Sequence, residues 1–338
     1  MKAAILTAKQ TPFELLEWGL PPLQAEEVRV QVKAAALNRR DYWIQQGQYA
    51  GLKYPIIVGS DGAGIVTEVG EKVDKNWIGK EVILNPSHDW GENEAVQGKA
   101  YRILGLPEHG TLAEYVQITA KYLYPKPAHL SFEETAALPL AALTAFRALF
   151  SRAHCQAGDK VLITGVGGGV AAFALQFALA AGAEVYVTSS SPEKIEKAKE
   201  LGAIDGINYK TEGWAKNLKA LAGEFDVIVD SAGGDGFPFL IDLAKAGGRI
   251  VFYGGTNGLI PNLSPQKIFW KQLSILGSTM GSDKDFAEML AFVNQHQIRP
   301  IIDSVFPLEQ INEAMQKMAS SSQLGKIVVI NEPLTSSK

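Results

Sequence analysis

Cysteine is nearly missing from this chain: Cys155 is the only one in 338 residues. A single thiol forms no internal disulfide and supplies no cysteine-rich zinc site. It stands beside His154 in a loop-like stretch without a supporting acid, and reads as incidental rather than reactive. A large excess of charge of one sign is also missing. A net charge of −4 leaves no basic footprint, which argues against nucleic acid as a partner. Long hydrophobic runs are absent too, since the greasiest region, 138–150, is broken by Pro139 and Arg147 and does not suit a bilayer. The opening MKAAILTAKQ lacks the apolar core of a signal peptide and reads as a first strand, which together with the lone cysteine points to the cytoplasm.

What remains is the composition of an ordinary soluble protein, 46% hydrophobic and 20% charged, on a chain long enough for two domains. The first 120 or so residues read as β. Residues 28–33 alternate with period two, 63–69 form another strand flanked by glycine, and 81–84 and 112–118 supply more. Glycines and prolines between them suggest a compact, strongly bent barrel. Residues 85–110 are polar and aperiodic and are expected to form a long surface loop.

From Ser131, which begins a capping-box pattern with Glu134, the character changes to helix and then to alternating strand and helix. Strands are expected at 161–164, 184–188, 206–209, 226–230, 249–253 and 274–277. The helices between them are expected at 170–181, 192–201, 211–222, 237–246 and 264–271. That succession argues for a doubly wound parallel sheet. The tail adds helices at 283–295 and 308–319 and a last strand at 326–330.

The stretch from Val161 to Lys194 carries the chemistry. A short apolar strand runs into Gly165, Gly167, Gly168 and Gly169, then into a helix. Glycines there let the backbone approach a diphosphate, and the helix N-terminus faces it with free N–H groups. NAD-binding versions of this unit place an acid about 20 residues further on, against the ribose 2′-hydroxyl. Here Ser189, Ser190 and Ser191 occupy that place with Lys194 one turn later, a set that suits a 2′-phosphate and therefore NADPH. Ser191-Pro192-Glu193 also reads as a plain helix N-cap, and both roles are compatible. Small residues follow three other strands, at 230–234, 253–256 and 277–281, as a cofactor lying across a sheet edge requires.

The ordered motifs Asn38-Arg-Arg-Asp41, Gly59-Ser-Asp-Gly-Ala-Gly64, His109 to Tyr115, Leu138 to Ala145 and the glycine turn resemble the medium-chain dehydrogenase/reductase superfamily. Within it the chain looks most like the quinone oxidoreductase branch and related zinc-free alcohol-dehydrogenase-like proteins. The resemblance implies an α/β protein in which a GroES-like β-barrel catalytic domain, 1–125 and 295–338, surrounds a doubly wound Rossmann nucleotide-binding domain, 126–294. It also implies a homodimer, for which residues 269–281 are a candidate pairing segment. Zinc-dependent members place a cysteine where Asn38 stands, a histidine-glutamate pair where Ser60 and Asp61 stand, and four close cysteines in the lobe matching 85–110. None of these is present, and no metal is expected. His88, Asp89, Glu92, Glu94 and His109 have no tetrahedral spacing and are expected as solvated loop residues.

Zinc-free relatives reduce quinones or activated carbon–carbon double bonds, so the expected activity is NADPH-dependent hydride transfer to a small molecule of that kind. The alternatives are an alcohol or aldehyde oxidoreductase of the same fold, or a silent NADPH-binding sensor or scaffold. The resemblance places Asn38 beside the nicotinamide, and Tyr42 and Tyr49 follow it as candidate proton donors or as packing aromatics. Ser60 is a further donor, and Asp61 is expected to bind backbone or a neighbouring side chain. For the cofactor, the resemblance implicates Thr144 near the nicotinamide or phosphate, Gly168, Gly169 and Val170 at the diphosphate, and Ser190, Lys194 and Tyr209 at the 2′-phosphate. Gly254, Ser278 and Lys326 border the nicotinamide half, although Lys326 also reads as a solvated lysine opening the last strand.

Overall fold

Period-two alternation in Glu27–Ala36 buries Val28, Val30, Val32 and Ala34 on one face, which makes this strand the hub of a sheet. Each such buried valine contributes about 1.5–3 kcal/mol relative to an exposed one. The computed structural model describes residues 1–331. Chain contacts divide it into two units, Met1–Ala141 with Gly281–Lys338, and Ala142–Met280. Residues 126–141 and 281–294, assigned to the nucleotide-binding domain by sequence, thus lie with the first unit. Their contacts include Leu140 N–H on Asp61 and the Tyr124 ring against Phe286.

The first unit opens with β1 (Lys2–Ile5), β2 (Glu14–Glu17), β3 (Glu27–Ala36), α1 (Arg39–Gln45), β4 (Asp61–Val69) and β5 (Glu81–Leu84). It continues through β6 (Ser87–His88), β7 (Arg102–Ile103), β8 (Tyr115–Thr119), β9 (Leu123–Pro125), α2 (Phe132–Ala136) and the start of α3 (Pro139–Phe146). The second unit holds β10 (Lys160–Ile163), α4 (Gly169–Ala180), β11 (Glu184–Ser189), α5 (Pro192–Glu200), β12 (Asp205–Asn208) and α6 (Trp214–Ala222). Then come β13 (Phe225–Asp230), α7 (Phe237–Leu243), β14 (Ala244–Phe252), α8 (Pro265–Trp270) and β15 (Ser274–Gly277). The chain returns to the first unit with α9 (Asp283–Gln295), β16 (Ile302–Pro307), α10 (Ile311–Ser320) and β17 (Lys326–Ile330).

In the first unit the sheet order is β16-β17-β3-β4-β5-β9, with β8 also on β3. The register sets Ala36 opposite both Asp61 and Val328, so the ends of α1, β4 and β17 converge. In the second unit the order is β12-β11-β10-β13-β14-β15, every pair parallel. The strand order reverses between β10 and β13, the switch point at which doubly wound sheets bind ligands.

Several expectations shift. Helix α6 starts at Trp214 rather than 211, because Gly213 before it adopts a left-handed φ of 68°. Helix α7 stops at Leu243 rather than 246, since Ala244 already pairs with Phe225 and opens β14. The 85–110 segment is not simply a solvated loop. Asn85, Ser87, His88 and Trp90 are buried, and β6 pairs with β7. His88 stacks on Tyr122 with ring centroids 3.9 Å apart, and Asp89 binds Lys121, Arg102 and the Tyr122 hydroxyl. The expectation of solvated His88 and Asp89 is therefore corrected, the polar groups being paired with one another. Glu92 and His109 are exposed as expected, while Glu94 is exposed yet accepts from Ser282.

Candidate functional site

In the second unit the glycine turn sits at the carboxyl ends of β10 and β13. Gly167 has φ 145°, and a Cβ there would lie 2.9 Å from Lys194 Cδ. Only glycine suits both the backbone and that contact. Gly168 differs, because a Cβ on it would meet nothing within 4 Å. It caps α4 without a side-chain hydrogen bond, and Gly169 and Val170 beside it are half-exposed. The first turn of α4 thus presents backbone donors to open space, the arrangement that binds phosphate. Ala171, next in the helix, is 1% exposed. The turn itself is tied to β11 by Val166 N–H on Thr188 O, and to β13 by Thr164 Oγ1 on Asp230 Oδ1 at 2.6 Å.

Ser190, Lys194 and Tyr209 come together at the ends of β11 and β12. Ser189 pairs with Asn208 in register, and Tyr209 N–H donates to Ser189 O. Asn208 Nδ2 donates to Ser190 O at 3.2 Å, leaving the Ser190 side chain and the Tyr209 ring exposed. Ser191 caps α5 by accepting from Lys194 N–H, and the Lys194 stem runs back across Gly167, with Nζ 3.3 Å from where a Cβ would stand. A cation therefore sits between the glycine turn and the hydroxyl-rich loop.

The remaining second-unit residues divide. Thr144 is buried on α3, with its hydroxyl 3.9 Å from Met280 Sδ. The Ser278 hydroxyl, just past β15, is buried and has no hydrogen-bond partner among the described residues. An orphaned donor at a strand end fits a ligand's polar group. Gly254 has a packing reason of its own, since a Cβ there would lie 2.3 Å from Ser231 O.

In the first unit, Asn38 and Asp61 are held together by a lysine. Lys326 is 3% exposed, which excludes a solvated lysine. Its Nζ donates to Leu37 O at 2.9 Å, Asn38 Oδ1 at 2.7 Å and Asp61 Oδ2 at 2.8 Å, so each of its three protons has an acceptor. Asn38 Nδ2 also donates to Asp61 Oδ2, and Asp61 Oδ1 accepts from Leu140 N–H, both at 2.8 Å. Asn38, Asp61 and Lys326 are thus mutually locked, and Asp61 binds its neighbours as expected. Asn38 N–H meanwhile donates to Asp41, whose carboxyl is pushed up by complete burial and drawn down by Arg40.

Tyr42 and Tyr49 do not share a place. Tyr42 stacks edge-on with Trp43 and lines a shallow groove of about 500 Å³ with Gln10, Pro12 and Met315. Tyr49 lies instead beside Arg40, whose Nε approaches its hydroxyl at 3.4 Å. Ser60 accepts from Arg40 and donates to Leu104 O, so its hydroxyl proton is committed. Arg40 was missed from sequence, although its position two residues after Asn38 on the same short helix was the available signal.

These residues do not fit zinc. An ammonium already lies between Asn38 and Asp61, the Ser60 proton points at a carbonyl, and a divalent cation would be repelled. No group of three His, Cys, Asp or Glu side chains among the described residues is arranged to hold a metal.

Comparison with known proteins agrees with both halves. Residues 24–128 match the family model "Alcohol dehydrogenase GroES-like domain" and residues 169–295 match "Zinc-binding dehydrogenase". A zinc-type alcohol dehydrogenase-like protein of Schizosaccharomyces pombe is 40% identical, the match covering 93% of each chain. An acryloyl-coenzyme A reductase of Sulfurisphaera tokodaii is 29% identical across 97% of this chain and 99% of its own. The crystal structure of an NAD-dependent alcohol dehydrogenase superposes with a TM-score of 0.93 at 37% identity, covering 98% of this chain and 100% of that one.

Proposed function

The chain belongs to the medium-chain dehydrogenase/reductase superfamily, and we propose that it is a zinc-independent, NADPH-dependent oxidoreductase that transfers hydride to a quinone or an α,β-unsaturated carbonyl. The observation that carries this reading is Lys326. Its ammonium bonds Asn38 and Asp61, two of the positions at which the resemblance puts zinc ligands in zinc-dependent members, which supports a reaction without a metal to polarise a simple alcohol or ketone. A substrate already made electrophilic by conjugation needs none.

The residues at the glycine turn fit a dinucleotide. The α4 N-terminus with Gly168, Gly169 and Val170 would hold the diphosphate, Ser190, Lys194 and Tyr209 the 2′-phosphate, and Thr144 and Ser278 the nicotinamide end. When bound, the reduced nicotinamide supplies a hydride. The locked Asn38 amide presents a fixed dipole, and Lys326 holds it rather than touching the substrate.

The alcohol dehydrogenase among the solved neighbours supports a second reading, NAD-dependent alcohol oxidation. One screen separates the two: consumption of NADPH and NADH against quinones, enones, aldehydes and alcohols, with and without chelator. NADPH-specific, chelator-insensitive turnover of quinones or enones is expected, and chelator-sensitive alcohol oxidation with NAD would defeat the proposal. Binding alone tests the 2′-phosphate site. Lys194→Ala should weaken NADPH about tenfold and NADH little, through loss of a charge-assisted contact. Equal losses would remove Lys194 from that role.

A second copy of the chain is the proposed partner. The parallel sheet ends at β15, whose outer edge has no strand beside it among the described residues, and Phe269 and Trp270 just before it are 64% and 83% exposed. The lone buried thiol suits a reducing, cytoplasmic setting.

A further inference from the structure

The hydroxyl-rich loop after β11 holds only serines in sequence, yet in the folded chain an acid turns back onto it. Ser191 Oγ donates to Glu193 Oε2 at 2.5 Å and accepts from Lys194 N–H at 3.3 Å. Ser191 N–H in turn donates to Ser189 Oγ, so loop, helix cap and acid form one chain of hydrogen bonds. Glu193 is exposed, and hydrogen bonds from the Ser191 hydroxyl and from the Glu193 N–H hold its carboxyl below the usual carboxylate range. It is a full negative charge at neutral pH. Among the described residues no cation is paired with it. Lys197 and Lys199, further along α5, are engaged by Glu200, Glu196 and Asp205, while Lys194 lies back across Gly167.

An acid in the first turn of a helix is favourable in itself, and on a bare helix end Glu193 would call for nothing more. Its company is different. Asn208 Nδ2 donates to Ser190 O and Tyr209 N–H to Ser189 O, which gathers the Ser190 hydroxyl and the Tyr209 ring at the same loop. An anion brought here would look to the N–H groups opening α5 and to the cap hydroxyl. The chain has already placed a carboxylate on that hydroxyl, whose proton is committed to it. A 2′-phosphate reaching the loop meets donors and a fixed negative charge together, whereas a 2′-hydroxyl carries no charge to be opposed.

We propose that Glu193 is a specificity-determining residue of the nucleotide site: held by Ser191, its carboxylate opposes the 2′-phosphate and limits the preference for NADPH over NADH that Ser190, Lys194 and Tyr209 create. This deepens the NADPH reading and rests on it. Reduced and oxidised cofactor carry the same 2′-phosphate, so both are opposed alike. The effect lies in binding, moving Kd and the cofactor KM rather than kcat. One exposed carboxylate beside a doubly charged phosphate changes affinity about tenfold at low salt and far less at high salt.

Adenosine 2′,5′-bisphosphate and adenosine 5′-monophosphate carry this difference without any hydride chemistry, and calorimetric titration of the full chain reads both. Glu193→Gln keeps the size of the side chain and an oxygen for Ser191. It should tighten the bisphosphate about tenfold at low salt and leave the monophosphate within about twofold. In about 0.5 M sodium chloride the gain should fall below about threefold. Ser191→Ala releases the carboxylate, so adding Glu193→Gln to it should gain no more than about threefold, with circular dichroism checking that the helix survives loss of its cap. Unchanged bisphosphate affinity in Glu193→Gln, an equal gain for both nucleotides, or the full gain in the Ser191→Ala background overturns the proposal. The two readings also fail separately. Native protein that prefers the bisphosphate, with Glu193→Gln no tighter, removes Glu193 from this role and leaves the 2′-phosphate site standing. Native protein without that preference, acquired in Glu193→Gln, ends the NADPH preference of the native chain and leaves the role of Glu193 standing. No preference in either protein overturns both.

Discussion

Lys326 shows how one side chain sets the chemistry of its surroundings. Its three protons join the adjacent Leu37 and Asn38, and Asp61, to the last strand of the first unit, far from them in sequence. Removing it takes from the buried Asp61 carboxylate the cation it is paired with, so Lys326→Met should cost about 3–5 kcal/mol of stability in denaturant unfolding. Lys326→Met combined with Asp61→Asn should recover part of that loss, and an additive double variant would show that the two groups are not coupled. Cys155 illustrates the opposite case, a group made inert. Burial and the neighbouring Asp159 push its thiol up to about 12, so thiolate is scarce at pH 8. Native protein should react with iodoacetamide roughly a thousandfold more slowly than unfolded protein at that pH. The difference should narrow as pH rises toward the thiol's shifted value, and rapid native labelling at pH 8 would contradict the assignment.

At the scale of elements, the glycine turn separates folding from binding. Gly168 has an ordinary negative φ and open space where a Cβ would stand, so Gly168→Ala should fold with at most about 1 kcal/mol lost at the helix cap. The added methyl group would occupy the space over the α4 N-terminus, and NADPH and NADH should both bind at least about tenfold more weakly by titration. Unchanged affinity would show that no diphosphate lies there. Such elements were legible because local signals agreed: apolar runs at β10, β11 and β13, Ser191 and Pro192 opening α5, and the Ser131–Glu134 box opening α2. Strand β2 was not legible, since all four of its residues are exposed and only backbone pairing with β1 defines it. The lobe at 85–110 was missed for a related reason. His88 is buried by stacking on Tyr122, a contact no local period announces. Arg40 escaped because an arginine between Arg39 and Asp41 looks like surface until Ser60 and Leu104 fold over it.

At the scale of the whole molecule, the second unit carries an imbalance between covered and open apolar surface. The face of the sheet under α6 and α7 is closed by Phe225, Phe237 and Leu240, whereas β15 leaves Ile275 half-exposed and Trp270 stands in solvent. Edge strands with aromatic neighbours associate unless something blunts them, and among the described residues no strand lies outside β15. A two-fold axis beside β15 would pair that strand with its own copy antiparallel, extending one sheet across two chains and covering Phe269 and Trp270 together. Sedimentation equilibrium of the native protein should then give twice the chain mass of 36.5 kDa. Trp270→Glu places a carboxylate at each side of that axis. It should raise the dissociation constant at least about a hundredfold while leaving the circular dichroism of the chain unchanged, since an 83% exposed residue supports no core. A native monomer at micromolar concentration, or a Trp270→Glu dimer of undiminished affinity, would move the interface away from this edge.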